Sequence, residues 1–203
     1  MRSIKPKNYK EYVRVQSKTT KSKLLRQPDR HFANPNEIKS ICDAVKNNGV
    51  ADDWKFGICH GVRNGWEVRE FKKHFSFEII GTDISKAATK FKYVIHHDFH
   101  NVKDEWLCSV DFIYTNSLDH SYDPKLTLQR WVNCLTENGR LFITWTPAHG
   151  EMGLSSETGD IFAASKEEYR DLLNTYGVVE HEFKTYQDDT RVHMVTFIVR
   201  LKT

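Results

Sequence analysis

Two glycines four residues apart, Gly61 and Gly65, lie in Cys59-His60-Gly61-Val62-Arg63-Asn64-Gly65, where an apolar run gives way to a helical pattern. Glycines there permit a tight turn and close backbone approach to a ligand, and a helix beginning at Trp66-Glu67 presents free N–H groups to it. Asp83 follows Gly61 by 22 residues and ends the next apolar run. An acid so placed can accept hydrogen bonds from both hydroxyls of a ribose; its plainer use is as a helix cap. Asp98 ends the third run, where it could receive the amino group of an adenine. Two acids in register behind a glycine turn point to a nucleoside. The G-x-G-x-x-G fingerprint of a dinucleotide site is absent, because position 63 is Arg. A ligand without a pyrophosphate fits better.

Two histidines follow later runs. His120 stands in Leu118-Asp119-His120 and His149 in Thr146-Pro147-Ala148-His149-Gly150. An imidazole suits proton abstraction near neutral pH, so His120, oriented by Asp119, is the first candidate for a general base and His149 the second. Each is equally readable as an ordinary loop histidine. Trp66, Phe99 and Trp145 could face an adenine or a cation, or pack in the core. His96, His97 and His100 flank Asp98, but no further ligands stand at helical or hairpin spacing, and no metal site is expected.

Positioning these residues requires strands that end at one rim. Short apolar runs at Lys55–His60, Phe77–Asp83, Lys92–His96, Val110–Thr115 and Arg140–Trp145 alternate with helical patterns at Trp66–His74, Ile84–Lys90, Val102–Cys108 and Pro124–Glu137. That alternation predicts a parallel sheet with helices on both faces. A capped amphipathic helix precedes it, from Asn34-Pro35 to Asn47-Asn48-Gly49. After a helix at Lys166–Tyr176 the alternation breaks. Val178–Tyr186 reads as a half-exposed edge strand, Gln187-Asp188-Asp189-Thr190 as a turn, and Val192–Leu201 as a strand covered on both faces. The chain is expected to close with a hairpin whose last strand slots inside the sheet. The loop 150–164 reads as a lid over an acceptor pocket or as a plain surface loop.

The 203 residues, 39% hydrophobic and 28% charged, suit one domain with an extension. No run approaches a membrane span, and Met1–Lys10 lacks the apolar stretch of a signal peptide. Four dispersed cysteines without a CxxC pair exclude a disulfide framework or zinc ribbon and suggest reduced thiols in the cytoplasm. Charge is uneven. Met1–Arg30 carries ten Lys/Arg against Glu11 and Asp29, leaving the remainder at −5. Residues 1–34 therefore read as a basic arm on a domain at 35–203. The arm suggests an anionic partner, nucleic acid or a phosphorylated substrate, or else a solvated, partly disordered terminus.

Over roughly residues 36–201 the chain resembles class I S-adenosylmethionine (SAM)-dependent methyltransferases. ICHGVRNGWE (58–67) matches their first loop, Asp83 in IIGTDIS and Asp98 in HHDFH their two acids. VDFIYTNSLDHSYDP (110–124) is similar to the fourth-strand region common in small-molecule members, and WVNCLTENGRLFIT (131–144) to the following helix and strand. The resemblance implies an α/β Rossmann-like three-layer sandwich, with a mostly parallel seven-stranded sheet and an antiparallel last strand. It implies SAM as cofactor, held by His60, Gly61, Arg63, Asn64, Gly65, Asp83, Ile84, Asp98, Phe99, Asn116 and Ser117. It also implies methyl transfer to a small-molecule acceptor, with an RNA or nucleotide methyltransferase or a non-catalytic SAM-binding subunit as alternatives. The chain departs from the family at Cys59, where the first loop usually begins with an acid, and at Arg63, usually glycine. Arg63 is expected to pair with the cofactor carboxylate in a bidentate way, or to point to solvent or cap a helix.

Overall fold

The computed structural model describes residues 1–149, 154–155, 157, 159–186 and 193–202. Seven strands form one sheet: β2 (Phe56–His60), β3 (Glu78–Asp83), β4 (Val94–His96), β5 (Val110–Thr115), β6 (Leu135–Trp145), β8 (Gly177–Tyr186) and β9 (His193–Leu201). Their order is β4-β3-β2-β5-β6-β9-β8. The first five are parallel, and β9 runs antiparallel between β6 and β8. A separate two-stranded ribbon pairs β1 (Arg2–Ser3) with β7 (Phe162–Ala163). The expected Rossmann-like sheet with an antiparallel last strand is present. The turn expected at 187–190 lies outside the described residues.

Alternation along the strands builds two cores. Ile58, Ile113, Leu141, Ile143 and Phe197 face α4 (Pro124–Cys134) and α5 (Lys166–Tyr176). Cys59, Phe112, Tyr114, Phe142 and Ile198 face α2 (Pro35–Asn47) and α3 (Trp66–His74). On α2, Glu37 is fully buried, and its Oε1 accepts hydrogen bonds from Tyr114 (3.2 Å), Thr196 (3.0 Å) and Thr144. One carboxyl thereby ties a helix to β5, β6 and β9.

Four expectations need correction. The helices expected at 84–90 and 102–108 are single 3₁₀ turns, Lys86–Lys90 and Asp104–Trp106. The helix expected to reach Glu137 stops at Cys134, because Leu135 already pairs with Val110 of β5. The basic arm is not a disordered terminus over Tyr9–Arg26. It forms α1 (Tyr9–Arg26), whose Asn8 side chain caps it by accepting from Glu11 N–H. Ser17 ties α1 to the main chain at Ile84, and Gln16 Nε2 donates to Gly159 O at 2.8 Å. Among the described residues, no helix is long and apolar enough to cross a membrane.

Candidate active site

The parallel strands end at one rim, and a cavity of about 250 Å³ opens there. Its floor is the loop after β2. Gly61 takes φ +72°, and a Cβ there would stand 2.7 Å from Ser117 Oγ, so only glycine lets this turn approach the residues after β5. Arg63 holds φ +45° without being glycine, a conformation that costs energy and is typical of functional loops. Asp83, at the end of β3, anchors the loop: its carboxylate accepts the Arg63 N–H at 3.0 Å and the Ser85 N–H at 2.7 Å. Burial raises the pKa of this carboxyl, and those two N–H groups oppose the shift.

Asp98 is held differently. Its Oδ1 accepts from His100 Nδ1 (2.7 Å) and the His100 N–H (3.0 Å), and its Oδ2 from the Tyr9 hydroxyl of α1 (2.9 Å). Burial pushes its pKa up, but the hydrogen bonds from His100 and Tyr9 prevail and hold it below the ordinary carboxylate range. The position expected to read an adenine amino group thus already carries one donor from the arm.

His120 sits at the same rim, in the turn after β5. Its Nδ1 lies 2.8 Å from the Gly159 carbonyl and 3.4 Å from Asp160 Oδ1. A carbonyl only accepts, so Nδ1 carries the proton and Nε2 presents a lone pair. Asp119 was expected to orient this ring; the Nδ1 hydrogen bond instead goes to Gly159. The ligand atoms of Asp119, His120 and Asp160 lie within 4.8 Å of one another, a spacing that could also hold a metal ion. The rings of His96, His97 and His100 bond instead to Ile84 O, Asn101 O, and Asp98 with Ser121.

Gly61, Arg63, Asn64, Asp83, Ile84, Asp98, Phe99, Asn116, Ser117, Asp119 and His120 all line this one cavity. Two expected residues do not share that placement. His60 is a core residue: β2 continues through it, so its side chain takes the Ile58 side, bonds Thr82 Oγ1 at 2.8 Å and stacks on Trp131. Burial pushes its imidazole down to about 3. Gly65 caps α3 at φ +69°, beside Val94. The side chain of His149 and residues 150–153 lie outside the described residues. Of the three aromatic candidates only Phe99 lines the cavity. Trp66 stacks on His31 at 3.8 Å, and Trp145 donates to Ala164 O within the core.

Asn64 and Arg63 are also partly committed. The Asn64 amide donates to Pro28 O (2.9 Å) and Arg30 O (3.2 Å), and Arg63 Nη2 donates to Arg30 O, so both pin the segment after α1. The guanidinium fork expected to grip a carboxylate is not presented whole.

The cavity's roof escaped the sequence reading. Tyr12, Gln16, Thr19, Thr20 and Lys23 of α1 line it, with Phe32 and, from α3, Glu67. The signal was present: Tyr9, Tyr12, Gln16, Thr19/Thr20 and Lys23 recur at three- and four-residue spacing, one face of a helix. That face is polar, so no apolar stripe announces it. Lys10, Arg14, Lys18 and Lys21 occupy the opposite, exposed face.

No protein-family model matches the chain, and no curated protein matches it in sequence. Solved structures do match in shape. The 1,6-didemethyltoxoflavin-N1-methyltransferase of Burkholderia thailandensis, with bound 1,6-didemethyltoxoflavin and S-adenosylhomocysteine, superposes with a TM-score of 0.74 at 11% identity, over 99% of this chain and 94% of that one. The N-methyltransferase NodS of Bradyrhizobium japonicum WM9, in complex with S-adenosylhomocysteine, gives 0.65 at 11% identity over 93% and 99%. The mitomycin 7-O-methyltransferase MmcR gives 0.56 at 14% identity, over 82% of this chain and 53% of that one. The chain has the Rossmann-like fold of these methyltransferases.

Proposed function

We propose that this protein is a SAM-dependent methyltransferase acting on an oxygen of a small polar molecule. The observation that carries the reading is the convergence on one cavity of the Gly61 turn, Asp83, Asp98 and the lone-pair side of His120, in a fold whose solved examples include methyltransferases with S-adenosylhomocysteine bound. The residues suit the cofactor: the Gly61 turn packs against Ser117 as only glycine allows, and two strand-end carboxylates line the same cavity. When bound, SAM supplies a methyl made electrophilic by its sulfonium.

The chain's own residues have simple tasks. Asp83 offers its carboxylate to the ribose hydroxyls, while the Arg63 and Ser85 N–H groups hold that carboxylate still. Asp98 receives the adenine amino group, sharing Oδ2 with Tyr9. Phe99 lies against the base, and Asn116 and Ser117 complete the lining beside Gly61. His120 accepts the acceptor's hydroxyl proton at Nε2, its ring fixed by Gly159 and Asp160. The roof formed by α1 excludes water, which aligns the reactants and strengthens local electrostatics. The four unpaired cysteines support a cytoplasmic setting.

Mass spectrometry of small molecules labelled from isotopic SAM in a cell extract would identify the acceptor. With it in hand, His120→Ala should lower turnover about 100- to 1,000-fold while leaving S-adenosylhomocysteine affinity nearly unchanged. Full turnover in that variant would remove the base assignment.

The exposed basic face of α1 favours a second reading, an RNA or nucleotide acceptor whose phosphates it holds. RNA binding that weakens steeply with salt and disappears in Arg14→Ala/Lys18→Ala/Lys21→Ala would support it. Salt-independent or absent binding would leave the small-molecule reading. A non-catalytic SAM-binding subunit would show a thermal shift with S-adenosylhomocysteine and label no acceptor.

A further inference from the structure

Outside the cavity, α1 meets the 3₁₀ turn Lys86–Lys90 across a groove of about 390 Å³. Lys21, Lys86 and Lys90 line it together with Leu24 and Leu25 of α1, and Leu25 is 75% exposed. No residue of this groove lines the cavity. The chain carries no acid between residues 12 and 28 or between 84 and 97, the two stretches that build the groove. Among the described residues, none of the three lysines forms an ion pair. Cations gathered without acids repel one another, and a bound anion relieves that repulsion.

The patch continues past the turn. Lys90-Phe91-Lys92-Tyr93 alternates cation and ring. Lys90 Nζ stands 5.1 Å from the Phe91 ring centroid. Tyr93 gathers two ammoniums, Lys92 Nζ at 4.7 Å and Lys72 Nζ of α3 at 4.8 Å, and the latter also reaches Phe77 O at 3.4 Å. Both rings are half-buried, and Tyr93 holds φ +71°, a left-handed conformation that is strained for a bulky residue. A lysine resting on a ring is only weakly held. Moving to a phosphate gives it a charge pair and bares the ring.

We propose that this face binds a single-stranded nucleic acid, with phosphates at the groove lysines and Lys92 and with bases packed on the rings of Phe91 and Tyr93. Charge complementarity calls for a polyanion, and the alternation of cation and ring selects among polyanions. A single strand alternates phosphate and unstacked base in the same way, and stacking on aromatic side chains is how such strands are held without sequence preference. A duplex hides its base faces, while an acidic peptide or a lipid headgroup offers charge without rings. The inference goes beyond both readings of the reaction: the strand need not be the methyl acceptor, because its binding residues stand outside the cavity.

The test is fluorescence anisotropy on the full chain with a labelled oligouridylate of about 20 nucleotides, its duplex with oligoadenylate, poly-L-glutamate as competitor and phosphatidylserine vesicles. The single strand should bind about tenfold more tightly than the duplex and lose about tenfold or more between about 50 and 200 mM salt. Lys86→Gln/Lys90→Gln should weaken it about tenfold and lower the salt slope by about 1.4, since two phosphate contacts are gone. Tyr93→Leu should weaken it about fivefold with the slope unchanged, because a stacking surface is lost and no charge. Unaltered thermal midpoints in both variants establish that the fold survives; should one variant unfold, the other and the wild-type salt slope still decide. The proposal is overturned if the wild-type chain does not bind the single strand at low salt, if duplex binds equally, or if both folded variants bind as wild type does. Displacement by poly-L-glutamate at equal charge, or binding to the vesicles alone, would overturn it in favour of an acidic protein or a membrane surface. Calorimetry with S-adenosylhomocysteine reads the methyltransferase assignment separately, so either can fail without the other.

Discussion

Two buried glutamates, Glu37 on α2 and Glu67 on α3, look alike and do different things. Each lies in the first turn of its helix, and burial raises the pKa of each. Each also has one oxygen, Oε2, without a hydrogen-bond partner. The surroundings separate them. Three hydroxyls from β5, β6 and β9 converge on Glu37 Oε1, and the residue does not line the cavity. Around Glu67 stand Arg63 and Asn116, and all three residues line the cavity. Burial and a shifted pKa therefore do not mark a binding residue by themselves. What separates the two acids is that Glu37 is bonded to hydroxyls of the sheet while Glu67 lines the cavity.

The largest expected effect is on Glu37. Glu37→Ala strands three buried hydroxyls and opens a void, so urea unfolding should show a loss of about 4 kcal/mol. The surviving folded protein should bind S-adenosylhomocysteine normally. A loss below about 1 kcal/mol would break the contrast between the two acids.

Next comes the pH dependence of Glu67→Gln. With the folded carboxyl near 7 and its ordinary value at 4.5, the folded state keeps a proton that the unfolded state releases between those pH values. Stability from this group consequently falls as pH rises through that window and is level above it, by an amount on the order of 3 kcal/mol. Glu37 acts in the same direction in both proteins and cancels in the difference. Glu67→Gln should therefore match wild type near pH 4.5 and exceed it at pH 8, read from urea midpoints. Equal midpoints at pH 8 would mean that Glu67 is already satisfied.

The smallest effect sharpens the account of Glu37. Thr196→Val removes one of its three donors and should cost about 1 kcal/mol, with no change in ligand binding. A much larger cost would mean that the three hydroxyls act as one cooperative unit.

The sheet was legible because its strands are apolar on a short period and because VHMVTFIVRL, covered on both faces, could only lie inside it. Asp83, Asp98, Gly61 and His120 were legible for a related reason: each follows a readable strand, and strand ends share a rim. His60 was expected at the cavity, but alternation along the strand puts its side chain on the Ile58 face, in the core. Residues 84–90 and 102–108 carry helical patterns, but the chain forms only 3₁₀ turns there. The roof was invisible because the inner face of α1 meets a polar cavity, so the usual apolar stripe is absent. Glu67 passed as an ordinary first-turn acid; only its three-dimensional company distinguishes it.

The hydrogen bond from Gln16 to the Gly159 carbonyl spans 143 residues, and His120 bonds the same carbonyl. On a ribosome, α1 emerges well before its fastening point, which is made 143 residues later. Loop closure of that length is slow compared with forming local turns. The nascent helix must therefore wait beside an unfinished sheet, and the cavity can be closed only after the segment carrying Gly159 has been made.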